Sequence, residues 1–286
     1  MTRHVRGIGL LVLLGASACS SSSKNTKSTS SDAGTDGHAA AAGFKLTWSL
    51  VNASPAPAGD AGAADAGPRK LPGVEGVKIC VKDHPEIACA TSAADGSFEL
   101  DGLPPLTNLI LTIDKDGFVK ESKTIQTAST DMNVGNGILM FETSKAAVAG
   151  GVTQDPTKGA VSLFAIGPVP GSTDQTAFQT EPGVSVSLSP KSGDGPHFSN
   201  RKGKFDPSAT TTLDGLAFYY NVDPGDYTLT FTDAQLDCAP ISIGLSGWGI
   251  PDPPSSVKFT VLAGYVTEEV GVFCTPKSVI VGGDGG

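Results

Sequence analysis

The feature that most constrains this chain is a two-residue alternation of apolar and polar side chains, repeated in many short segments along the chain. Clear examples are residues 44–51, 77–81, 109–113, 184–189, 227–232 and 257–261. Turns rich in glycine and proline separate these segments, and the chain contains 36 Gly and 20 Pro. Only 17% of its residues are charged, which argues against a helical bundle. The pattern predicts an all-β protein made of antiparallel β-sandwiches.

The distribution of these segments divides the chain into two halves. We expect a leader, a disordered tether, a first sandwich with a disordered loop, a short helical linker, a second sandwich and a flexible tail. Their bounds are residues 1–18, 19–43, 44–142 (loop 53–69), 143–158, 159–276 and 277–286, respectively.

The N-terminus has the pattern of an export signal. Arg3 and Arg6 precede an apolar run at residues 8–14, which is too short to span a bilayer. Small residues then lead directly to Cys19, and this pattern resembles the lipobox of bacterial lipoproteins. The resemblance implies cleavage after Ala18 and a lipid on Cys19 that anchors the chain to a membrane. An ordinary secretory signal cut after Ala18 is the alternative.

The other four cysteines fit an oxidising compartment. Four thiols allow three connectivities, and proximity in the sequence favours two of the possible pairs. These are Cys80–Cys89 and Cys238–Cys274. Zinc is the rival explanation, but the chain has no Cys-x-x-Cys motif and no histidine at ligand spacing from a cysteine.

Turn and core residues in both halves are similar to those of carboxypeptidase regulatory-like domains. In the first half the similarity covers residues 76–81, 91, 94–100, 102–104, 109–113 and 117–118; in the second it covers 183–186, 214–218 and 222–229. The first half lacks the Pro-Gly-x-Tyr turn that the second has at residues 224–227. The resemblance implies two tandem transthyretin-like (prealbumin-like) sandwiches that act as structural or binding modules without an active site.

Candidate catalytic and metal-binding groups are scattered. His38, His84 and His197 lie in separate segments and are expected to be solvated. Residues 114–117, followed by Glu121, hint at calcium but lack the spacing of an EF-hand, so a hairpin turn is the better interpretation. We therefore predict no enzyme activity, no cofactor and no metal.

Two aromatic side chains are candidates for ligand contact. If Phe218 and Tyr220 face the core, Tyr219 faces outward. Together with Trp248 it would form an exposed aromatic patch. Alternatively, Trp248 covers one end of the sandwich.

The location and partners follow from these features. The net charge of −9 argues against nucleic acid. The sequence predicts a non-catalytic lipoprotein of the bacterial cell envelope, anchored in a membrane (the outer membrane is favoured) and either periplasmic or surface-exposed. Its modules are expected to bind or scaffold a protein partner; the alternative is a glycan or cell-wall polymer.

Overall fold

The computed structural model describes residues 43–54, 71–135, 137–143, 152–171, 178–199, 205–240 and 250–277. Several predicted features lie outside these residues. They are the leader, Cys19, nearly all of the tether, most of the loop at 53–69, the linker helix beyond Thr143, Trp248 and the tail beyond Lys277.

The chain is an all-β protein, as its alternation predicts. The first half contains β1 (Phe44–Asn52), β2 (Lys78–Val81), β3 (Ala90–Thr91), β4 (Ser97–Leu103), β5 (Asn108–Asp114), β6 (Glu121–Gln126), β7 (Met132–Asn133) and β8 (Ile138–Met140). The second half contains β9 (Gly159–Pro168), β10 (Phe178–Thr180), β11 (Ser185–Ser189), β12 (Asp194–Phe198), β13 (Leu216–Val222), β14 (Gly225–Thr232), β15 (Leu236–Pro240), β16 (Ile250–Asp252), β17 (Ser256–Val261) and β18 (Val266–Pro276). No helix among the described residues is long and apolar enough to cross a membrane.

The described strands form three sheets, and these sheets pack to form two sandwiches. One four-stranded sheet has the order β4-β1-β7, with β8 also paired to β1, and another has the order β11-β14-β17-β16. A ten-stranded sheet, of order β12-β13-β9-β18-β6-β5-β2-β3 with β10 and β15 at its side, runs through both halves. Buried apolar residues form one core between positions 44 and 140 and another between 161 and 274. Each core lies between one small sheet and part of the large sheet, which is the layering of a β-sandwich.

The strand directions differ from the antiparallel prediction at four pairs. β1 runs parallel to β7 and β8, and β18 runs parallel to β9 and β6. Hairpins force antiparallel pairing only between strands joined by short turns. β1 and β18 pair with strands far away in the sequence, so their direction is set by the long connections between them.

The strand predicted at residues 44–51 belongs to the first sandwich. Leu46 lies opposite Leu100, and Trp48 lies opposite Phe98. Every second side chain from Phe44 to Leu50 is buried, which is the periodicity that the sequence shows.

The two halves are connected through the pairing of β6 with β18. Val266 lies opposite Glu121, and Thr267 lies opposite Ser122. The hydroxyl oxygens of Ser122 and Thr267 are 3.2 Å apart, and the backbone N–H of Thr260 donates to Thr124 Oγ1 over 3.2 Å. The ten-stranded sheet is therefore continuous from one sandwich core to the other.

Candidate functional site

The structure corrects the predicted orientation of β13. Tyr219 is only 4% exposed and belongs to the second core, together with Ala217 and Val222. Phe218 and Tyr220 are half-buried on the opposite face. Asn221 has a φ of 52°, and the register with β9 shifts between Tyr219 and Val222. This bulge allows Tyr219 and Val222 to face the same side although they are three residues apart.

Tyr219 therefore cannot contribute to an exposed patch in the way that the sequence suggests. Its burial raises the pKa of its hydroxyl to about 12. Trp248, the other predicted contact residue, lies outside the described residues. The structure instead brings together a different set of rings on the outward face of the sheet.

The rings of His197, Phe205, Phe218 and Tyr220 form a compact group, here called the aromatic cluster. The centroid of Phe205 is 5.3 Å from that of His197, 5.5 Å from Phe218 and 5.9 Å from Tyr220. Phe218 and Tyr220 are 6.3 Å apart, with only 17° between their ring planes. His197 is 5.8 Å from Tyr220. The cluster therefore joins β12, β13 and the segment that follows β12.

The aromatic cluster is separate from the hydrophobic core. None of its four residues belongs to the second core or to the partly buried side chains that pack against that core. All four are half-buried, whereas Phe198, the neighbour of His197, is only 2% exposed. The cluster is thus an outer layer of aromatic surface on the second sandwich.

A carboxylate lies at the rim of the aromatic cluster. Asp194 Oδ1 is 3.1 Å from His197 Nε2, and the Asp194 side chain is 59% exposed. Asp194 is also the register partner of Tyr220, so it lies beside that ring on the neighbouring strand. Burial raises the pKa of the Tyr220 hydroxyl to about 12, so this hydroxyl keeps its proton at neutral pH. The rim therefore offers a charged acceptor next to aromatic faces.

Two glycines allow β12 to lie close against β13. Gly193 has a φ of 76°, and a Cβ at this position would come within 2.5 Å of the Tyr220 carbonyl oxygen. Gly195 has a φ of 150°, and a Cβ there would lie 2.8 Å from the Phe218 carbonyl oxygen. Larger side chains would push β12 away, so these glycines hold Asp194 and His197 beside the rings of β13.

The histidines within the described residues do not come together. His84 Nδ1 is 2.8 Å from Glu86 Oε1, and this hydrogen bond lowers the pKa of Glu86. His197 lies in the aromatic cluster and is half-buried, not solvated as the sequence suggests. His38 lies outside the described residues.

The turn at residues 114–117 is a hairpin turn, as expected. The backbone N–H of Phe118 donates to Lys115 O over 3.1 Å. Asp114 pairs with Lys120 at 2.9 Å and accepts a 2.6 Å hydrogen bond from the Tyr265 hydroxyl. Glu121 is fully buried in β6. Among the described residues, no group of three or more potential metal ligands is present.

Both predicted disulfides are present. Cys80 is bonded to Cys89 across a nine-residue separation, and Cys238 is bonded to Cys274 across 36 residues. Cys238 and Cys274 lie directly opposite each other on β15 and β18, and both are buried.

Comparisons with known proteins give only distant structural similarity. No model of a protein family matches the chain, and no curated protein gives a significant match. A type II cohesin–X-dockerin complex from Acetivibrio cellulolyticus has 15% identity over 41% of this chain and 67% of that chain, with a TM-score of 0.28. The minor pilin GBS52 of Streptococcus agalactiae has 15% identity over 82% and 97% of the two chains, with a TM-score of 0.25. The shaft pilin SpaA of Lactobacillus rhamnosus GG has 10% identity over 83% and 99%, with a TM-score of 0.24.

The assignment to the β-sandwich class therefore depends on the strand pairing and the two cores. The more specific resemblance to carboxypeptidase regulatory-like domains remains a prediction from sequence, because no family model matches.

Proposed function

We propose that this chain is a lipid-anchored, non-catalytic protein of the bacterial cell envelope whose two sandwiches form a rigid scaffold for a protein partner. The sandwiches are assigned to residues 44–142 and 159–276. The observation that carries the proposal is the ten-stranded sheet that runs without interruption through both cores.

The pairing of β6 with β18 supports rigidity. Backbone pairs, a hydroxyl pair and the hydrogen bond from Tyr265 to Asp114 all connect the two halves. Domains joined only by a linker move relative to each other, whereas a shared sheet couples them. Such a unit would hold a partner at a defined distance and orientation.

The N-terminal sequence supports the anchor. Lipidation at Cys19 would attach several acyl chains, which are enough for stable membrane binding. If residues 19–43 behave as the tether that the sequence predicts, about 24 residues would give an r.m.s. span of about 25–30 Å. The sandwiches would therefore stand away from the membrane surface, within reach of other envelope components.

In-cell cross-linking of the lipidated protein tests this function. The captured material is identified by mass spectrometry, and a Cys19→Ala strain, in which the lipid cannot be attached, is the control. We expect one discrete envelope protein to be captured by the wild type and lost with Cys19→Ala. Capture of no specific protein, or capture that is equal in both strains, would contradict an anchored scaffold.

A further inference from the structure

The aromatic cluster has a shape and a chemistry that the scaffold function does not use. It is an outer layer of four half-buried rings, and it is separate from both cores. Partly exposed aromatic rings with an exposed carboxylate at their rim match a ligand that has both an apolar face and hydrogen-bond donors.

We infer that the aromatic cluster is a carbohydrate-binding site. It takes the apolar C–H face of a neutral pyranose ring against Phe218 and Tyr220, and the hydroxyl groups of the sugar at Asp194. This inference is independent of the protein partner proposed above.

The orientation of the Phe218 and Tyr220 rings favours a sugar as the ligand. Phe218 and Tyr220 are two residues apart on one strand, and their planes differ by only 17°. Similar orientation of neighbouring rings gives a repeated surface along the strand, which suits a ligand built from repeated rings. Aromatic faces carry partial negative charge and attract the weakly positive C–H groups of a sugar face.

The carboxylate at the rim of the aromatic cluster also favours a sugar as the ligand. An ionised carboxylate only accepts hydrogen bonds, and a sugar hydroxyl donates one. Such charge-assisted bonds are stronger than neutral ones. Asp194 is exposed, lies next to Tyr220 in the register and has its Oδ1 3.1 Å from His197 Nε2. The rim therefore places an acceptor where the hydroxyl groups of a stacked ring would lie.

The charge of the chain and the composition of its surface favour a neutral sugar over an anionic sugar or a protein. The chain carries 29 acidic and 20 basic residues, so together with Asp194 it disfavours an anionic sugar. A protein interface usually contains a larger apolar area around its central residues. Among the described residues, the exposed large aliphatic side chains are Leu71 and Leu106, and both lie in the first half. The aromatic cluster is therefore better suited to a small polar ring than to a protein.

Binding of defined oligosaccharides to the full mature chain tests the inference. Cellohexaose, chitohexaose and maltohexaose are titrated separately by isothermal calorimetry. We expect at least one of them to bind, and Phe218→Ala or Tyr220→Ala to weaken this binding about tenfold or more. Asp194→Asn keeps the shape of the side chain but removes its charge, and it should weaken binding a few-fold.

Phe178→Ala is the matched control. Phe178 packs edge-on against Phe273 at 5.3 Å in the same sheet but outside the aromatic cluster, so its removal should leave sugar affinity unchanged. Thermal melting of every variant reports whether it folds. If the alanine variants do not fold, NMR titration of the wild type decides, because bound sugar must shift the resonances of the four cluster rings.

Three results would overturn the inference. They are the absence of binding to all three hexasaccharides at millimolar concentration, equal loss of affinity in Phe178→Ala and Phe218→Ala, and NMR shifts confined to residues outside the aromatic cluster. If Tyr220→Ala abolishes cross-linking to a protein while no sugar binds, the surface is a protein interface. Failure of the sugar titration leaves the anchored scaffold intact, and failure of cross-linking leaves the sugar site intact.

Discussion

Both halves of the molecule are β-sandwiches, but their disulfides lie in different places. The first disulfide closes a nine-residue hairpin loop, and Cys89 is exposed. The second joins β15 to β18 inside the core, across 36 residues. A crosslink that closes a longer loop removes more freedom from the unfolded chain. The contribution of a disulfide to stability therefore depends on where it lies in the fold.

A second difference concerns polar residues. Among the described residues, the first half contains two fully buried charged side chains, Glu121 and Lys123, on β6. Their register partners Ile113 and Leu111 belong to the first core, so both charged side chains face that core. The buried Glu268 follows the residues of β18 that pair with β6. The strand where the halves meet is therefore the most polar part of the interior.

The largest effect is expected from the loss of the buried cation at this strand. Lys123→Ala should destabilise the protein by about 3–5 kcal/mol, because it removes the buried cation two residues from the buried carboxylate of Glu121. Urea unfolding measures the change in free energy. Lys78→Ala on the exposed side of β2 is the control and should stay within about 0.5 kcal/mol of the wild type. Equal stability of both variants would show that the buried charges are not coupled.

Removal of each disulfide tests whether the two bonds contribute differently to stability. In the chain-entropy model, loops of nine and 36 residues predict losses of about 3 and about 4 kcal/mol. The Cys238→Ala/Cys274→Ala variant also leaves a space in the core, so it should lose more stability than Cys80→Ala/Cys89→Ala. Thermal melting under identical conditions measures both. A larger loss of stability in the Cys80→Ala/Cys89→Ala variant would contradict this order.

Alkaline pH should act on the second half first. All four tyrosines lie at or beyond position 219, and the pKa values of Tyr219, Tyr220 and Tyr265 are raised to about 12. In the unfolded chain a tyrosine ionises near pH 10. Because the folded pKa is higher, this contribution to stability is complete below about pH 10 and is lost between pH 10 and 12.

The measurement uses one reporter for each half. Trp48 is 3% exposed in the first core, and in a Trp248→Phe background its fluorescence reports on that core alone. Tyrosinate absorbance reports on the second half. We expect absorbance to rise at a lower pH than the one at which Trp48 fluorescence changes. Coincident transitions would instead indicate that the continuous sheet makes both halves unfold as one unit.

The all-β class and most of the strands could be predicted from the amino-acid sequence alone. Phe44 to Leu50 and Tyr227 to Phe231 alternate without interruption, and a strand with one buried face imposes this pattern directly on its residues. Proximity along the chain was also sufficient for both cysteine pairs, since each pair lies within one sandwich.

Tertiary structure alone decided which residues of β13 face inward. The sequence around Tyr219 alternates equally well in either phase, and the bulge at Asn221 depends on the register with β9. The aromatic cluster escaped prediction for the same reason, because its rings come from three segments that only folding brings together. Likewise, residues 121–124 have the polar pattern of an exposed strand, yet they are buried because both faces of β6 are covered. One face packs on the first core, and on the other Thr124 accepts a hydrogen bond from Thr260 of β17. Burial depends on neighbours that are distant in the sequence, and local periodicity carries no information about them.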